Sequence, residues 1–117
     1  MAFTALDHEQ LSERFFSDGE LIQEIATLSV AEIDRLGAEL ADAVAADDRS
    51  RLSRVAHELR GVLCNVAARP ASELAHAVIE TASARSSGEV APLVGALRAE
   101  SDRVVVELRQ LGLGRVG

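Results

Sequence analysis

Three residues near the middle of the 117-residue chain have the types and spacing that phosphoryl chemistry requires: His57, Arg60 and Gly61. A histidine side chain with its ordinary pKa of about 6.5 is largely neutral at pH 7, so its imidazole is a nucleophile. An arginine guanidinium beside it can hold phosphate oxygens in a bidentate pair. This combination predicts a histidine that accepts a phosphoryl group and passes it on.

The helix that contains these residues should direct His57 into water. Its apolar residues recur at three- and four-residue intervals and form one stripe: Leu52, Val55, Ala56, Leu59, Val62, Leu63 and Val66. At about 100° per residue, His57 falls roughly 170° from the centre of this stripe. Gly61 follows one turn later on the same face, and Arg60 lies on the flank. We therefore expect an exposed histidine with an arginine within reach of any group bound to it.

A glycine in the middle of a helix is unfavourable, because it lowers the stability of the helix by about 1 kcal/mol relative to alanine. At Gly61 the missing side chain leaves space directly beside the imidazole, as close approach by another molecule would need. Cys64 and Ala68 continue the same face with small side chains, and Glu58 stands next to the histidine. We therefore predict a docking surface for a protein partner that includes Cys64, Ala68 and Glu58.

The other reactive side chains offer weaker sites. His8 and His76 are interpreted as solvated surface residues. A zinc site built from His57, Cys64 and His76 is disfavoured, because His57 and Cys64 are about 10 Å apart along a helix. Cys64 is the only cysteine, so the chain can form no internal disulfide and has no resolving thiol for redox chemistry. We expect no metal site.

Cap residues mark where the first helices begin. Asp7 with Gln10 fits the capping-box start of a short helix that runs to about Phe16. Asp18 can cap the second helix, which is expected to end near Asp47. The chain therefore opens with one short helix and one long helix.

Later turn signals divide the rest of the chain into three further helices. Asp48 can cap the third helix, and Arg69-Pro70 should end it, because a residue before proline is pushed out of the α region. Pro70 itself suits the first turn of the fourth helix. Residues 86–88, Ser-Ser-Gly, separate the fourth helix from the last, which Gly112 can close.

Four of these helices are long and amphipathic, and short segments connect them, so sequential neighbours should run antiparallel. We predict an all-α fold, an antiparallel four-helix bundle with the short first helix capping one end, formed by residues 1–117 as a single domain. The apolar stripes are Leu21, Ile22, Ile25, Leu28, Ile33, Leu36, Leu40 and Val44 on the second helix, Ala71, Leu74, Ala75, Val78 and Ala82 on the fourth, and Val90, Leu93, Val94, Leu97, Val104, Val105, Leu108 and Leu111 on the last.

Composition limits the classes of partner. The formal net charge is -7, and the basic residues are not concentrated in any segment, which disfavours binding to nucleic acid. The first ten residues lack the apolar core of a signal peptide, and no uncharged run approaches the roughly 20 residues of a membrane span. We therefore expect a cytoplasmic protein that binds neither nucleic acid nor membranes.

The segment AHELRG, residues 56–61, resembles the signature of histidine-containing phosphotransfer (HPt) domains, usually His-x-Leu-Lys-Gly, with Arg60 in place of the lysine. The order of one short and four longer helices, with an aspartate just before the histidine helix, is also similar. The resemblance implies a helical bundle in which His57 is phosphorylated, Arg60 balances the charge of the phosphate and Gly61 leaves room for the partner.

Two positions depart from the HPt pattern. Val62 and Leu63 follow the glycine, where many members have a small polar residue, and Ile79 stands on the next helix, where many have a glutamine that touches the histidine. The segment HELRGVL is also similar to the box of histidine-kinase dimerisation domains, in which the glutamate after the histidine, here Glu58, assists transfer. This chain lacks the length and the glycine-rich boxes of an ATP domain. Autophosphorylation from ATP is therefore not expected.

The HPt resemblance implies a phosphorelay intermediate. His57 would receive the phosphoryl group from a receiver-domain aspartate and give it to another, with response regulators and a hybrid sensor histidine kinase as partners. The receiver would supply Mg²⁺, and the chain itself would need no cofactor. It would be a stoichiometric phosphocarrier with no ATP-binding site, not an enzyme. The alternative is a non-catalytic helical adaptor that binds receiver domains without being phosphorylated.

Overall fold

The computed structural model describes residues 5–16, 18–84 and 87–113, and every regular element in these ranges is a helix. In chain order the helices are α1, His8–Arg14; α2, Gly19–Ala45; α3, Arg49–Asn65; α4, Arg69–Ala84; and α5, Ser87–Leu113. No strand occurs in the described ranges, so the prediction of an all-α fold is confirmed. In the same ranges, none of the helices combines the length and apolar character that crossing a membrane requires.

Three helices begin at the aspartates that the sequence indicates. Asp7, Asp18 and Asp48 each precede a helix, and each carboxylate accepts a hydrogen bond from the backbone N–H three residues later, at 3.0 to 3.1 Å. These N-cap predictions are confirmed. The capping box at α1 is only half formed, because the backbone N–H of Asp7 donates to the carbonyl of Ala67 at 2.9 Å and not to the side chain of Gln10.

The end of α3 differs from the prediction. The helix ends at Asn65, and Arg69 begins α4 instead of ending α3, with Pro70 in the first turn of α4 as predicted. Ala67 has the left-handed backbone conformation, with φ of 58°. Its N–H and that of Ala68 donate to carbonyls in the last turn of α3, at 3.1 and 2.9 Å. These two bonds form a Schellman turn, which closes the helix without a glycine.

The ends of α2 and α5 agree with the predictions less closely. Helix α2 ends at Ala45, two residues before the predicted Asp47, and Asp47 has a left-handed φ of 53°. Helix α5 continues through Gly112 to Leu113, so the prediction that Gly112 closes it is wrong. The predicted break at residues 86–88 falls partly outside the described residues, and α5 begins within it, at Ser87.

The four long helices pack in a closed ring of neighbours, in which α2 and α4 each contact both α3 and α5. Their buried faces form a core of leucine, valine, alanine and Ile33. The predicted stripes of α3, α4 and α5 are buried or half-buried. The stripe of α2 is wider than the surface that its neighbours cover, so Leu28 is 66% exposed and the prediction that it faces the core is wrong.

Helix α1 lies against the connection between α3 and α4. The Arg14 guanidinium donates through Nη1 to the backbone carbonyls of Cys64 at 2.5 Å and Asn65 at 3.0 Å. Just before α1, the backbone N–H of Leu6 donates to the Glu107 carboxylate of α5 at 3.2 Å. Helix α1 thus ties together the end of α3 and a residue of α5, at one end of the long helices.

Candidate phosphoacceptor site

His57 lies in the middle of α3, and its side chain is exposed, as predicted. On the opposite face, Val55, Ala56 and Leu59 are fully buried, so packing of the helix holds the backbone that presents the histidine. Within the described part of the chain, the imidazole has no hydrogen bond and no ion pair. Both ring nitrogens are therefore open to a group that approaches from solvent.

Towards the C-terminus of α3, the exposed face that carries His57 is open at Gly61. This face ends before Ala68, which the sequence predicted to be part of it. A β-carbon built on Gly61 would meet no surrounding heavy atom within 4 Å, and Cys64 is also exposed. Ala68 is fully buried, so its predicted place on the docking surface is wrong. The cause is the Schellman turn at Ala67, because it ends α3 before the helical periodicity could carry residue 68 to the outer face.

Arg60 is half-buried and lies three residues after His57, which places the two side chains on adjacent positions of the helix surface. No carboxylate pairs with its guanidinium among the residues that the structure describes. A phosphoryl group on the imidazole would therefore find this guanidinium available on one flank. The flank position is the one that the sequence predicted.

Glu58 is held by two arginines on different helices. Its carboxylate lies 3.7 Å from Arg54 Nη1, one turn earlier on α3, and 4.0 Å from Arg35 Nη2 on α2. Arg35 also pairs with Glu32 at 2.9 Å and with Glu39 at 2.7 Å. The hydrogen bond from Arg35, with its positive charge, lowers the pKa of Glu32. Glu58 therefore belongs to a charge network between α2 and α3, and within the described ranges it has no hydrogen bond or ion pair with the imidazole.

Two grooves flank the exposed face of α3. The first, here called the α3–α4 groove, lies between the N-terminal half of α3 and the end of α4. The second, the α2–α3 groove, lies on the side of Gly61 and contains the exposed Leu28. The described residues that line the α3–α4 groove are Arg49, Ser50, Ser53, Arg54, His57, Glu58, Ala82 and Ser83, and Glu58 is the one carboxylate among them. Those that line the α2–α3 groove are Ile25, Leu28, Ser29, Glu32, Glu58, Gly61, Val62 and Asn65.

Sequence reasoning missed Arg54 and Leu28 as residues of this surface. The signal for Arg54 was its spacing, since it precedes His57 by the same three residues by which Arg60 follows it. Leu28 gave no such signal, because its place in the apolar stripe of α2 indicated burial. Both positions depend on how neighbouring helices approach α3, which the pattern of one helix does not contain.

The other two histidines line neither of these grooves. His8 Nε2 is 3.2 Å from the Glu107 carboxylate, and His76 Nε2 is 3.3 Å from Glu80 on the same helix. Both side chains are about half exposed, in line with the prediction that they are surface residues, although His8 also links α1 to α5. The described residues contain no group of three or more histidine, cysteine or acidic side chains placed to hold a metal ion.

Comparison with known proteins agrees with this geometry. The family model described as Hpt domain matches residues 20–111, which is most of the chain and contains α3 with His57. Searches of curated proteins and of solved structures each returned no match. The family match covers α3 and α4 completely and nearly all of α2 and α5, with the exposed histidine within the matched segment. The chain therefore belongs to the Hpt domain family.

Proposed function

We propose that this chain is a phosphorelay intermediate, in which His57 accepts a phosphoryl group from one receiver-domain aspartate and passes it to another. The observation that carries the proposal is the exposed imidazole, unpaired among the described residues, beside the open space at Gly61 in a chain of the Hpt domain family. Hpt domains are phosphocarriers of two-component systems, which supports a stoichiometric carrier with no ATP site of its own.

The proposed transfer balances without an additional reactant. The lone pair of the unprotonated imidazole nitrogen attacks phosphorus in line with the bond to the aspartyl oxygen. The P–N bond forms, the P–O bond breaks, and the electron pair leaves with the aspartate carboxylate. The proton on the other ring nitrogen stays in place. Because the transition state of phosphoryl transfer is loose, the contribution of this chain is positioning, through the exposure of His57, the gap at Gly61 and the charge of Arg60.

The proposed partners are receiver domains of response regulators and of a hybrid sensor histidine kinase. A receiver would bring the Mg²⁺ that neutralises the phosphoryl group, so the carrier needs only to present its histidine. The α2–α3 groove supports a protein partner, because the exposed Leu28 offers apolar surface in the groove that Gly61 lines. We place Glu58 and Cys64 on the same docking surface.

We also propose that the four long helices form an antiparallel bundle. Only three residues connect α2 to α3, and three connect α3 to α4, and such short connections favour antiparallel neighbours. The closed ring of contacts among α2, α3, α4 and α5 agrees with this arrangement. His57 would then be presented midway along the bundle, where a receiver can dock across α2 and α3. A cytoplasmic location stays a prediction from the sequence.

The experiment that tests the function is transfer from receiver domains. A panel of receivers is charged with radioactive acetyl phosphate and mixed with the wild-type chain, and acid-labile label on the chain is measured. We expect label on the wild type, none on His57→Gln, and wild-type levels on the matched controls His8→Gln and His76→Gln. Label that persists in a folded His57→Gln chain would overturn the assignment. A wild-type chain that binds receivers and takes no label would be the non-catalytic adaptor instead.

A further inference from the structure

We propose that the α3–α4 groove is a phosphoryl-binding site, in which Arg54 holds the phosphoryl group on His57 after transfer. The proposal rests on the proposed function, because it needs a phosphorylated His57. It gives the groove a ligand, the phosphoryl group of a phosphohistidine. It also gives Arg54, which precedes the histidine, a role of its own. Arg60, which follows the histidine in the motif, is the arginine already proposed to balance the phosphate charge.

The positions of the two arginines relative to His57 support a separate role. Arg54 precedes the histidine by three residues, so their β-carbons lie about 5–6 Å apart on the surface of α3. Arg54 and His57 both line the groove, and Arg60 is not among its lining residues. On a helix with about 100° per residue, Arg54 and Arg60 fall roughly 60° to either side of His57. A phosphoryl group in the groove therefore has Arg54 as its neighbouring guanidinium.

The groove has the space and the donors that such a group needs. Its α4 wall consists of the small side chains of Ala82 and Ser83. The Ser83 hydroxyl donates to the backbone carbonyl of Ile79 at 3.1 Å, so it is not an available donor. The Ser53 hydroxyl, one turn before His57, has no hydrogen-bond partner within the described ranges. Arg49 and Ser50 also line the α3 side, about two turns before His57, so Arg54 and Ser53 are the donors nearest the imidazole.

Arg54 has a partner that a phosphoryl group can displace. Its Nη1 lies 3.7 Å from Glu58 Oε1, longer than the roughly 2.7–2.9 Å of a charge-assisted hydrogen bond; the Arg54 side chain is largely exposed and that of Glu58 about half exposed. A phosphoryl group carries up to about two negative charges and accepts bidentate hydrogen bonds, whereas Glu58 carries one charge. Arg35 also neutralises Glu58 from α2. Arg54 can therefore exchange Glu58 for the phosphoryl group without leaving that carboxylate unpaired.

The test uses the full-length chain with His8→Gln and His76→Gln, so that phosphoramidate labels His57 alone. In that reaction the P–N bond of phosphoramidate breaks, ammonia leaves, and a P–N bond to the imidazole forms. We expect the Nε–H resonance of Arg54 to shift on phosphorylation while that of Arg51, outside the groove, stays unchanged. We expect Arg54→Ala to shorten the lifetime of the phosphohistidine about threefold to tenfold, in line with one charge-assisted contact at an exposed site. The matched variant Arg51→Ala should keep the wild-type lifetime.

Substitution of Glu58 separates direct contact from a general effect of charge. If Arg54 touches the phosphoryl group, Glu58→Gln lengthens the lifetime, because it frees the guanidinium. The double variant Arg54→Ala with Glu58→Gln then stays as short-lived as Arg54→Ala. A double variant with the wild-type lifetime would mean that Arg54 only neutralises Glu58, and this would overturn the proposal. An unchanged Arg54 resonance, or equal lifetimes for Arg54→Ala and Arg51→Ala, would overturn it too.

Failure of this proposal and failure of the proposed function give different results. Phosphoramidate modifies His57 without a receiver domain, so the Arg54 measurements do not depend on a cognate partner. A chain that takes no label from receivers refutes the relay function, whatever the lifetimes are. A chain that takes label from receivers and shows no Arg54 effect keeps the relay function and loses the groove as a phosphoryl site.

Discussion

Gly61 lies one turn beyond His57 on the exposed face of α3, and a β-carbon added there would meet no surrounding heavy atom within 4 Å. Alanine therefore fits without strain and is the better helix former. We expect Gly61→Ala to raise the free energy of unfolding by up to about 1 kcal/mol, measured by urea denaturation. A destabilised Gly61→Ala chain would mean that the glycine serves a close contact inside the protein.

A large side chain at the same position should separate folding from docking. Gly61→Arg points into open space, so we expect it to fold and to block a receiver that approaches His57. Gly95 is the matched control, because it is also an exposed helical glycine with open space around its β-carbon, on α5. Gly95→Arg should transfer phosphate at the wild-type rate. Equal transfer rates for the two arginine variants would show that the gap at Gly61 is not used for docking.

Asp48 connects two helices through different parts of one residue. Its N–H donates to the carbonyl of Ala43 at 3.0 Å and closes α2, while its carboxylate accepts from the N–H of Arg51 at 3.0 Å and begins α3. Asp48→Ala removes only the second bond, so we expect a loss of about 0.5–2 kcal/mol in the free energy of unfolding. Asp48→Asn should retain most of the cap.

Asp42 provides the control for the Asp48 variants, because it is an exposed aspartate near the end of α2. A negative charge near a helix C-terminus is mildly unfavourable, so Asp42→Ala should leave stability unchanged or slightly raised. Urea denaturation of all three variants measures the difference. An Asp48→Ala chain as stable as Asp42→Ala would show that α3 does not depend on this cap.

The features that sequence reasoning predicted well are those encoded within one helix. The aspartate caps at Asp7, Asp18 and Asp48 are local hydrogen bonds, and their residue type alone indicates them. The exposure of His57 follows from the periodicity of the buried residues on the same helix, with Leu59 as an example. Neither feature requires knowledge of the neighbouring helices.

The features that were missed depend on backbone conformation or on neighbouring helices. The turn that ends α3 uses a left-handed alanine, Ala67, and alanine gives no signal for that conformation. The burial of Ala68 follows from that turn. Leu28 is exposed because none of the described helices covers its part of α2, and Arg54 lines a groove because α4 passes beside it. These features can be predicted only when the packed arrangement of several helices is known.

Arg14 should stabilise the end of α3 more than the whole fold. Its guanidinium donates to the carbonyls of Cys64 and Asn65, and Cys64 also accepts the N–H of Ala67 in the turn that closes α3. We expect Arg14→Ala to cost about 1 kcal/mol and to speed amide hydrogen exchange in the last turn of α3. Arg69→Ala is the control, because Arg69 is highly exposed and, among the described residues, its guanidinium pairs only with Glu73 on its own helix. Equal amide exchange rates in the two variants would show that the Arg14 guanidinium does not stabilise the end of α3.

The ion pair between Arg35 and Glu32 should make stability depend on pH in a defined direction. The hydrogen bond and the charge of Arg35 lower the pKa of Glu32 below its ordinary 4.5 in the folded chain. A carboxylate whose pKa is lower in the folded chain than in the unfolded chain stabilises the fold at any pH above its unfolded pKa. This contribution is lost as the pH falls through the pKa of the folded chain. The contribution is therefore present at neutral pH and lost in acid. Both side chains are about half exposed to solvent, so the effect on overall stability should be small.

Arg35→Ala tests this dependence through the carboxylate itself. In a titration followed by ¹³C NMR, we expect the Glu32 carboxyl to titrate at a higher pH in Arg35→Ala than in the wild type, closer to the ordinary 4.5. Arg35→Lys keeps the charge and loses the planar fork, so its Glu32 should titrate between the two. Urea denaturation should show that Arg35→Ala is slightly less stable than the wild type at neutral pH. The difference in the free energy of unfolding should shrink in acid as Glu32 is protonated. An unchanged Glu32 titration in Arg35→Ala would show that the pair does not persist in solution, and Arg35 would then also cease to explain how Glu58 is neutralised.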